Sequence, residues 1–201
     1  MMRWSLSVAV VSCFLVGTGV VLAAPTPLPL RDRLIRPGEF SGYRPESTKH
    51  SFKSAKAWVA SGPHLPAAQT SAAIARLHRE GFVAVLSEFL DRGSERGNGL
   101  SWVMQLGSAA SARAELKADL TADKAGGGTF SAFSVPAIPG ARGYRVSGGG
   151  GVGENIYFAD GPFLYLVGQG FSSVDKNPPT RAGMITAVTT LYRRVHGHPA
   201  G

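Results

Sequence analysis

The sequence predicts an α+β domain: a mainly antiparallel sheet of about six strands packed against helices. Three observations predict it. Residues 100–106 alternate Leu100, Trp102, Met104 and Leu106 with Ser101, Val103 and Gln105, the two-residue period of a strand. The period then changes, and Ala109, Ala112, Leu116 and Leu120 recur every three or four residues, as on one helix face. Finally, Asp160-Gly161 stands between two β-rich runs, a short-range hairpin signal.

The chain opens with Met1-Met2-Arg3, an apolar run from Trp4 to Leu22, and small residues around Ala23. Residues 1–23 therefore read as a secretory signal peptide. The run at 4–24 is also long enough to span a bilayer if it is retained. Val10-Val11-Ser12-Cys13 loosely matches a lipoprotein box, but a lipidated cysteine should end the apolar run, and this run continues to Leu22. Cleavage after Ala23 removes the only cysteine, so a disulfide, a thiol nucleophile and a cysteine metal site are all excluded from the exported part. The expected location is secreted or extracytoplasmic, with membrane contact only through residues 4–24.

Residues 24–50 hold Pro25, Pro27, Pro29, Pro37 and Pro45 and read as an extended wrap. Within it, Leu30, Leu34 and Ile35 suit a short helical turn, and Phe40 and Tyr43 suit docking on the body. Residues 51–197 form the single α+β domain, and residues 198–201 a frayed tail. Short helices are expected at 54–60, carrying Trp58, and at 70–79, with Thr70 or Ser71 as cap and Gly81 as stop. His78, near the end of that helix, reads as a partner for its last carbonyls. Strands follow at 82–91 and 100–106, joined by a polar, glycine-rich link. Ser108 caps the alanine-rich helix, and residues 126–128, all glycine, end it.

Further strands are expected at 129–135, 144–147, 154–159 and 163–171. Pro162 places the start of the last one at a sheet edge. Residues 179–195 make the final helix, with Arg193, Arg194 and His196 crowding its negative end.

The stretch "VSGGGGVGEN", residues 146–155, contains a G-x-G-x-x-G spacing. A dinucleotide loop needs a helix directly after the glycines, to hold pyrophosphate on its free N–H groups. Here a strand pattern follows, so the glycines read as a hairpin tip. A P-loop, a nucleophile elbow and a helical histidine pair are also missing. His196 and His198 lie close together in the tail, an adventitious metal pair at most. Glu88 could point inward from its strand. No catalytic residue, cofactor or metal is expected.

Of the 21 basic residues, Lys and Arg together, most are arginine, and the formal charge is +8, reduced by one when Arg3 is removed. A basic exported chain meets anionic envelope material. Nucleic acid is not expected as a partner, because the aromatic-and-basic ladder of a strand-binding face is missing. If each segment crosses the sheet once, four links fall at one end: residues 92–98, 124–128, 148–153 and 172–177. They bring Arg92, Arg96, Lys124 and Lys176 near the pliable loop at Gly150. These five residues are the candidate ligand-binding set, for a small molecule or an anionic envelope component.

Three pieces also carry a family likeness: "LRDRLIRPGEFSGY"; "WVMQLGSAASARAEL"; and "VPAIPGARGYR" followed by "GENIYFADGPFLYLVGQGF" and a terminal helix. The chain resembles the small exported sensor-like domains of actinobacteria, such as the extracellular parts of PknH-type kinases and LpqN-type lipoproteins. The resemblance implies a PsbP-like α/β sandwich and a binding or sensing role without a catalytic set. The expected function is a non-enzymatic exported binding domain. A cell-envelope hydrolase with an unrecognised site and a signal-anchored structural surface protein are the alternatives.

Overall fold

Side chains on a strand alternate between two faces, so a strand apolar at every position must be covered on both. The run "FLYLVGQGFS" of β7 (Phe163–Ser172) is buried from Phe163 to Gln169. It forms the middle of a seven-stranded sheet in the order β1-β2-β3-β7-β6-β5-β4, and every pairing is antiparallel. The remaining strands are β1 (Arg44–Phe52), β2 (Ala84–Asp91), β3 (Gly97–Gln105), β4 (Thr129–Phe133), β5 (Arg142–Gly148) and β6 (Gly151–Asp160). The computed structural model describes Thr26 and residues 28–62, 65–93, 97–173, 175 and 177–199.

The α+β class is as the sequence predicts, with two corrections to the sheet. It has seven strands rather than about six, because part of the proline-containing wrap pairs as β1. This edge strand is mostly exposed and carries a register shift between Pro45 and Lys49. Proline, lysine and irregularity are devices that keep an open edge from recruiting another strand. The second correction concerns β7, which is central rather than an edge. Pro162 lies in the turn before it, where no ladder N–H is needed, and its carbonyl accepts from Leu106 N–H at 2.9 Å.

Helices α1 (Ala55–Ser61), α2 (Ala67–Arg79) and α3 (Ala109–Ala125) contribute to a core on one face. There Ala55, Leu77, Ala112 and Leu116 pack with Val85, Trp102, Met104, Tyr157, Leu164 and Leu166. Ser54 Oγ accepts from Ala57 N–H at 3.2 Å, and Ser108 Oγ from Ser111 N–H at 3.0 Å, so both helices start on side-chain caps. Helix α2 starts at Ala67, earlier than the expected Thr70, because Pro66 supplies a pre-set φ at its entry. Gly81 ends it at φ 68°.

Helix α4 (Arg181–Val195) covers the other face together with an N-terminal strap, which holds a 3-10 turn at Leu30–Arg33. Leu34, Ile35, Phe40 and Tyr43 of the strap meet Val103, Ile156, Phe158 and Val188 in the second core.

The strap is pinned by Arg33, which is fully buried. Its Nε donates to the Leu28 carbonyl at 2.9 Å, and its Nη1 donates to the Tyr165 hydroxyl at 2.9 Å. Its Nη2 donates to the carbonyls of His198 at 2.9 Å and Pro199 at 2.6 Å. The guanidinium lies 3.8 Å from the Phe163 ring centre. Burial pushes the Tyr165 phenol up to about 12, against the opposing pull of Arg33. Arg194 adds a second pin: it donates to both Glu39 oxygens at 3.0 and 2.9 Å and to the Leu34 carbonyl at 2.7 Å.

Candidate functional site

The antiparallel order places the strand ends that flank the four expected links at one pole. There Gly149 (φ 59°) and Gly150 (φ 82°) form the tip between β5 and β6. A strand follows them, so the G-x-G-x-x-G spacing is a hairpin turn with no helix N-terminus behind it. A cleft of about 890 Å³ opens at this pole, lined mostly by glycine from β3, β5, β6, β7 and the 126–128 link. Asn98, Val146 and Phe171 also line it, and none of its lining residues is charged.

Neither of the two described candidate cations, Arg92 and Lys124, lines that cleft. Arg92 is turned toward Asp175 Oδ2 at 3.4 Å and the Asn177 carbonyl at 2.9 Å, and lies 5.7 Å from the Tyr43 ring centre. Its side chain is 7% exposed, so it acts as an internal clasp. Lys124, in the last turn of α3, sits 5.3 Å over the Phe130 ring. Gly150 is at the hairpin tip, and its carbonyl accepts from Ser173 N–H at 2.9 Å. Arg96 and Lys176 lie outside the described residues.

A different cleft has the apolar character expected of a ligand seat. It holds about 420 Å³ between α1 and strands β1 to β3. Phe52, Phe89, Leu100 and the buried Ser87 form its floor, Trp58 and Gly62 its wall, and His50 and Ser61 its polar rim. Register explains the floor: Phe89 pairs with Leu100 and His50 with Ser87, so these side chains share one face. Helix α1 is only 7 residues long and leaves the upper part of that face bare. Phe89 is accordingly 45% exposed.

From this cleft a line of rings crosses the sheet. Phe52, Trp58, Trp102, Tyr157, Tyr144 and Phe130 follow one another at centroid spacings of 5.4, 5.7, 5.9, 5.9 and 5.1 Å. Such spacings are favourable ring contacts and hold the Trp58 side of the cleft to the core. Phe89 and Trp58 were legible as strand and helix apolars. Their joint exposure follows only from how far α1 reaches.

The carboxylates are taken up internally. Glu154, 2% exposed, accepts from Arg181 Nη2 at 2.7 Å and from Gln169 Nε2 at 2.9 Å, with Arg145 at 3.6 Å. Glu88 does point inward, and it is ion-paired to Lys49. Burial raises its carboxyl above the ordinary value, although Lys49 opposes this. On α3, Glu115 takes a two-bond contact from Arg76 at 2.7 and 2.8 Å. Asp123 accepts from the hydroxyls of Tyr144 and Tyr157.

Asp119 lies between them, 3.9 Å from Arg76. Burial first, and then the Glu115 charge, hold its carboxyl well above the usual carboxylate range. His196 Nδ1 lies 2.8 Å from Asp160 Oδ1, whereas His198 Nδ1 lies 3.1 Å from the Thr26 carbonyl, so the two rings serve different partners. Among the described residues, no group of His, Cys, Asp and Glu is arranged to hold a metal. No helix among them is long and apolar enough to cross a membrane.

No family model and no curated protein matches the chain. Among solved structures, the extracellular domain of PknH from Mycobacterium tuberculosis is similar with a TM-score of 0.48 and 12% identity, over 77% of this chain and 85% of that one.

Proposed function

We propose that this chain is a non-enzymatic, extracytoplasmic binding domain that seats an uncharged, largely apolar small molecule between α1 and the sheet. The observation that carries the reading is the cleft of about 420 Å³ floored by Phe52, Phe89 and Leu100 and walled by Trp58. Small-molecule seats are concave, mostly apolar and sparingly polar, and they span about 300 to 1,000 Å³. His50 and Ser61 at the rim and Ser87 in the floor supply three polar groups that can orient a ligand by hydrogen bonding. No lysine, arginine, aspartate or glutamate lines the cleft, so a net charge on the ligand gains nothing there. The extracytoplasmic assignment rests on the charged start and apolar run of residues 1–23.

Binding of a neutral solvatochromic dye such as Nile red tests the reading. Trp58→Ala and Phe89→Ser should each weaken dye binding by about tenfold, the scale of a lost aromatic anchor. Equal binding by wild type and both variants would remove the cleft as a ligand seat.

A further inference from the structure

Helix α3 is two-faced. Its inner row, Glu115, Asp119 and Asp123, is directed to Arg76 and to the tyrosines of the sheet. Its outer row, Arg113, Lys117 and Lys124, borders a separate groove of about 470 Å³. Leu116, Leu120 and Ala159 contribute apolar surface to that groove, and Arg142 of β5 closes it from the opposite side beside Pro139 and Gly140. All four cations are exposed. No carboxylate lines the groove.

None of the four has an ion-pair partner among the described residues. Arg142 reaches only the adjacent Ala141 carbonyl, and Lys124 rests on the Phe130 ring. The neighbouring acids are turned elsewhere: Glu115 and Asp119 to Arg76, Asp123 to the tyrosines, and Asp160 to His196. From Arg113 to Lys124 the row extends about 16 Å at the rise of an α-helix.

We infer that the groove between α3 and the β4–β5 connection binds an anionic phospholipid. Arg113, Lys117, Lys124 and Arg142 face its phosphate, and the Leu116–Leu120 floor takes the first part of an acyl chain. Cations without counter-ions favour an anion, and the apolar floor favours an amphiphile over a bare polyanion. Arginine and lysine also lay their aliphatic stems along apolar surface while keeping the charge outward. The site is independent of the Trp58 cleft, which lines a different part of the molecule.

The experiment compares binding of the full chain to vesicles of phosphatidylglycerol and of phosphatidylcholine. The ratio between the two lipids is the readout, because any pull from the apolar run at residues 4–24 acts on both. Each basic residue near an anionic surface contributes about fivefold. Replacing all four cations by glutamine should therefore lower the phosphatidylglycerol preference by at least about tenfold. Lys117→Arg with Lys124→Arg should keep it.

Leu120→Ser, which changes no charge, should weaken phosphatidylglycerol binding severalfold. Trp58→Ala should leave the ratio intact, which separates this site from the proposed dye cleft. An unchanged preference in the four-cation variant overturns the inference. So does a Leu120→Ser variant with wild-type binding, or a soluble glycerol-phosphate polymer that competes with phosphatidylglycerol vesicles, because either assigns the row to polyanions instead of lipid.

Discussion

The two faces of the sheet handle their charge in opposite ways. On the α4 face four guanidiniums have internal partners: carbonyls and a phenol for Arg33, Glu39 for Arg194, Glu154 for Arg181, and Asp175 for Arg92. On the α3 face Glu115, Asp119 and Asp123 are turned inward, and Arg113, Lys117, Lys124 and Arg142 look outward beside one open groove. The formal charge of +8 therefore counts cations that a partner does not meet, Arg33 above all. On the α4 face these arginines serve as structural fasteners, which suits their planar array of donors. The open face leaves arginine and lysine as surface charge.

The largest expected effect that would break this contrast is at Arg33. Arg33→Met should lower stability by about 3 kcal/mol, since it strips charge-assisted hydrogen bonds from several buried acceptors. Arg113→Met should change it by less than about 0.5 kcal/mol, as surface substitutions do. Urea unfolding of both variants checks the pair, and equal losses would erase the distinction between the faces.

Glycines sharpen it next. A Cβ on Gly99 would meet Leu90 Cβ at 2.9 Å and Tyr43 Cε1 at 3.1 Å, under the strap. Gly99→Ala should cost about 1–3 kcal/mol by overpacking. Gly153, at the rim of the glycine cleft, has nothing within 4 Å of such a Cβ. Gly153→Ala should be neutral or should stabilise by a few tenths of a kcal/mol, because alanine loses less backbone freedom in a strand. Thermal melts read both.

The smallest effect is a pH slope. The Asp119 carboxyl is raised, so the folded chain keeps a proton that the unfolded chain loses at a lower pH. Its contribution to stability is complete below the ordinary carboxyl range and disappears as pH rises through the raised value. Glu88, also raised, adds a slope of the same sign from the other face. Asp119→Asn should flatten the fall of melting temperature with rising pH, and Glu88→Gln should flatten the remainder. If Asp119→Asn keeps the wild-type slope, the inner row of α3 is not its source.

Much of the fold was legible because it is local. An apolar run marks β2, alternation marks β3, Ser54 and Ser108 stand at helix starts, and Asp160-Gly161 marks a turn with Gly161 at φ 54°. Strand β1 was not, because a mostly exposed edge strand with a proline shows neither alternation nor an apolar run. The central place of β7 was hidden because Pro162 looks the same in a turn as in an edge strand.

The four-link pole followed from chain direction alone. The partners of its arginine did not, since Arg92 and Asp175 meet across 83 positions and no periodicity encodes that. Lys117 and Lys124 fall off the stripe of Ala109, Ala112, Leu116 and Leu120 in the sequence itself. Arg142 joins them only because the start of β5 borders the same groove as α3.

The Arg33 fastener has a mechanical consequence. It holds Leu28 to the His198–Pro199 segment, so both ends of the described chain leave from one pole, that of the Asp160–Gly161 turn. A force applied to the two ends loads this clasp before it reaches the ladder of strands. Immobilising the protein through either end leaves the glycine-lined pole pointing away from the support.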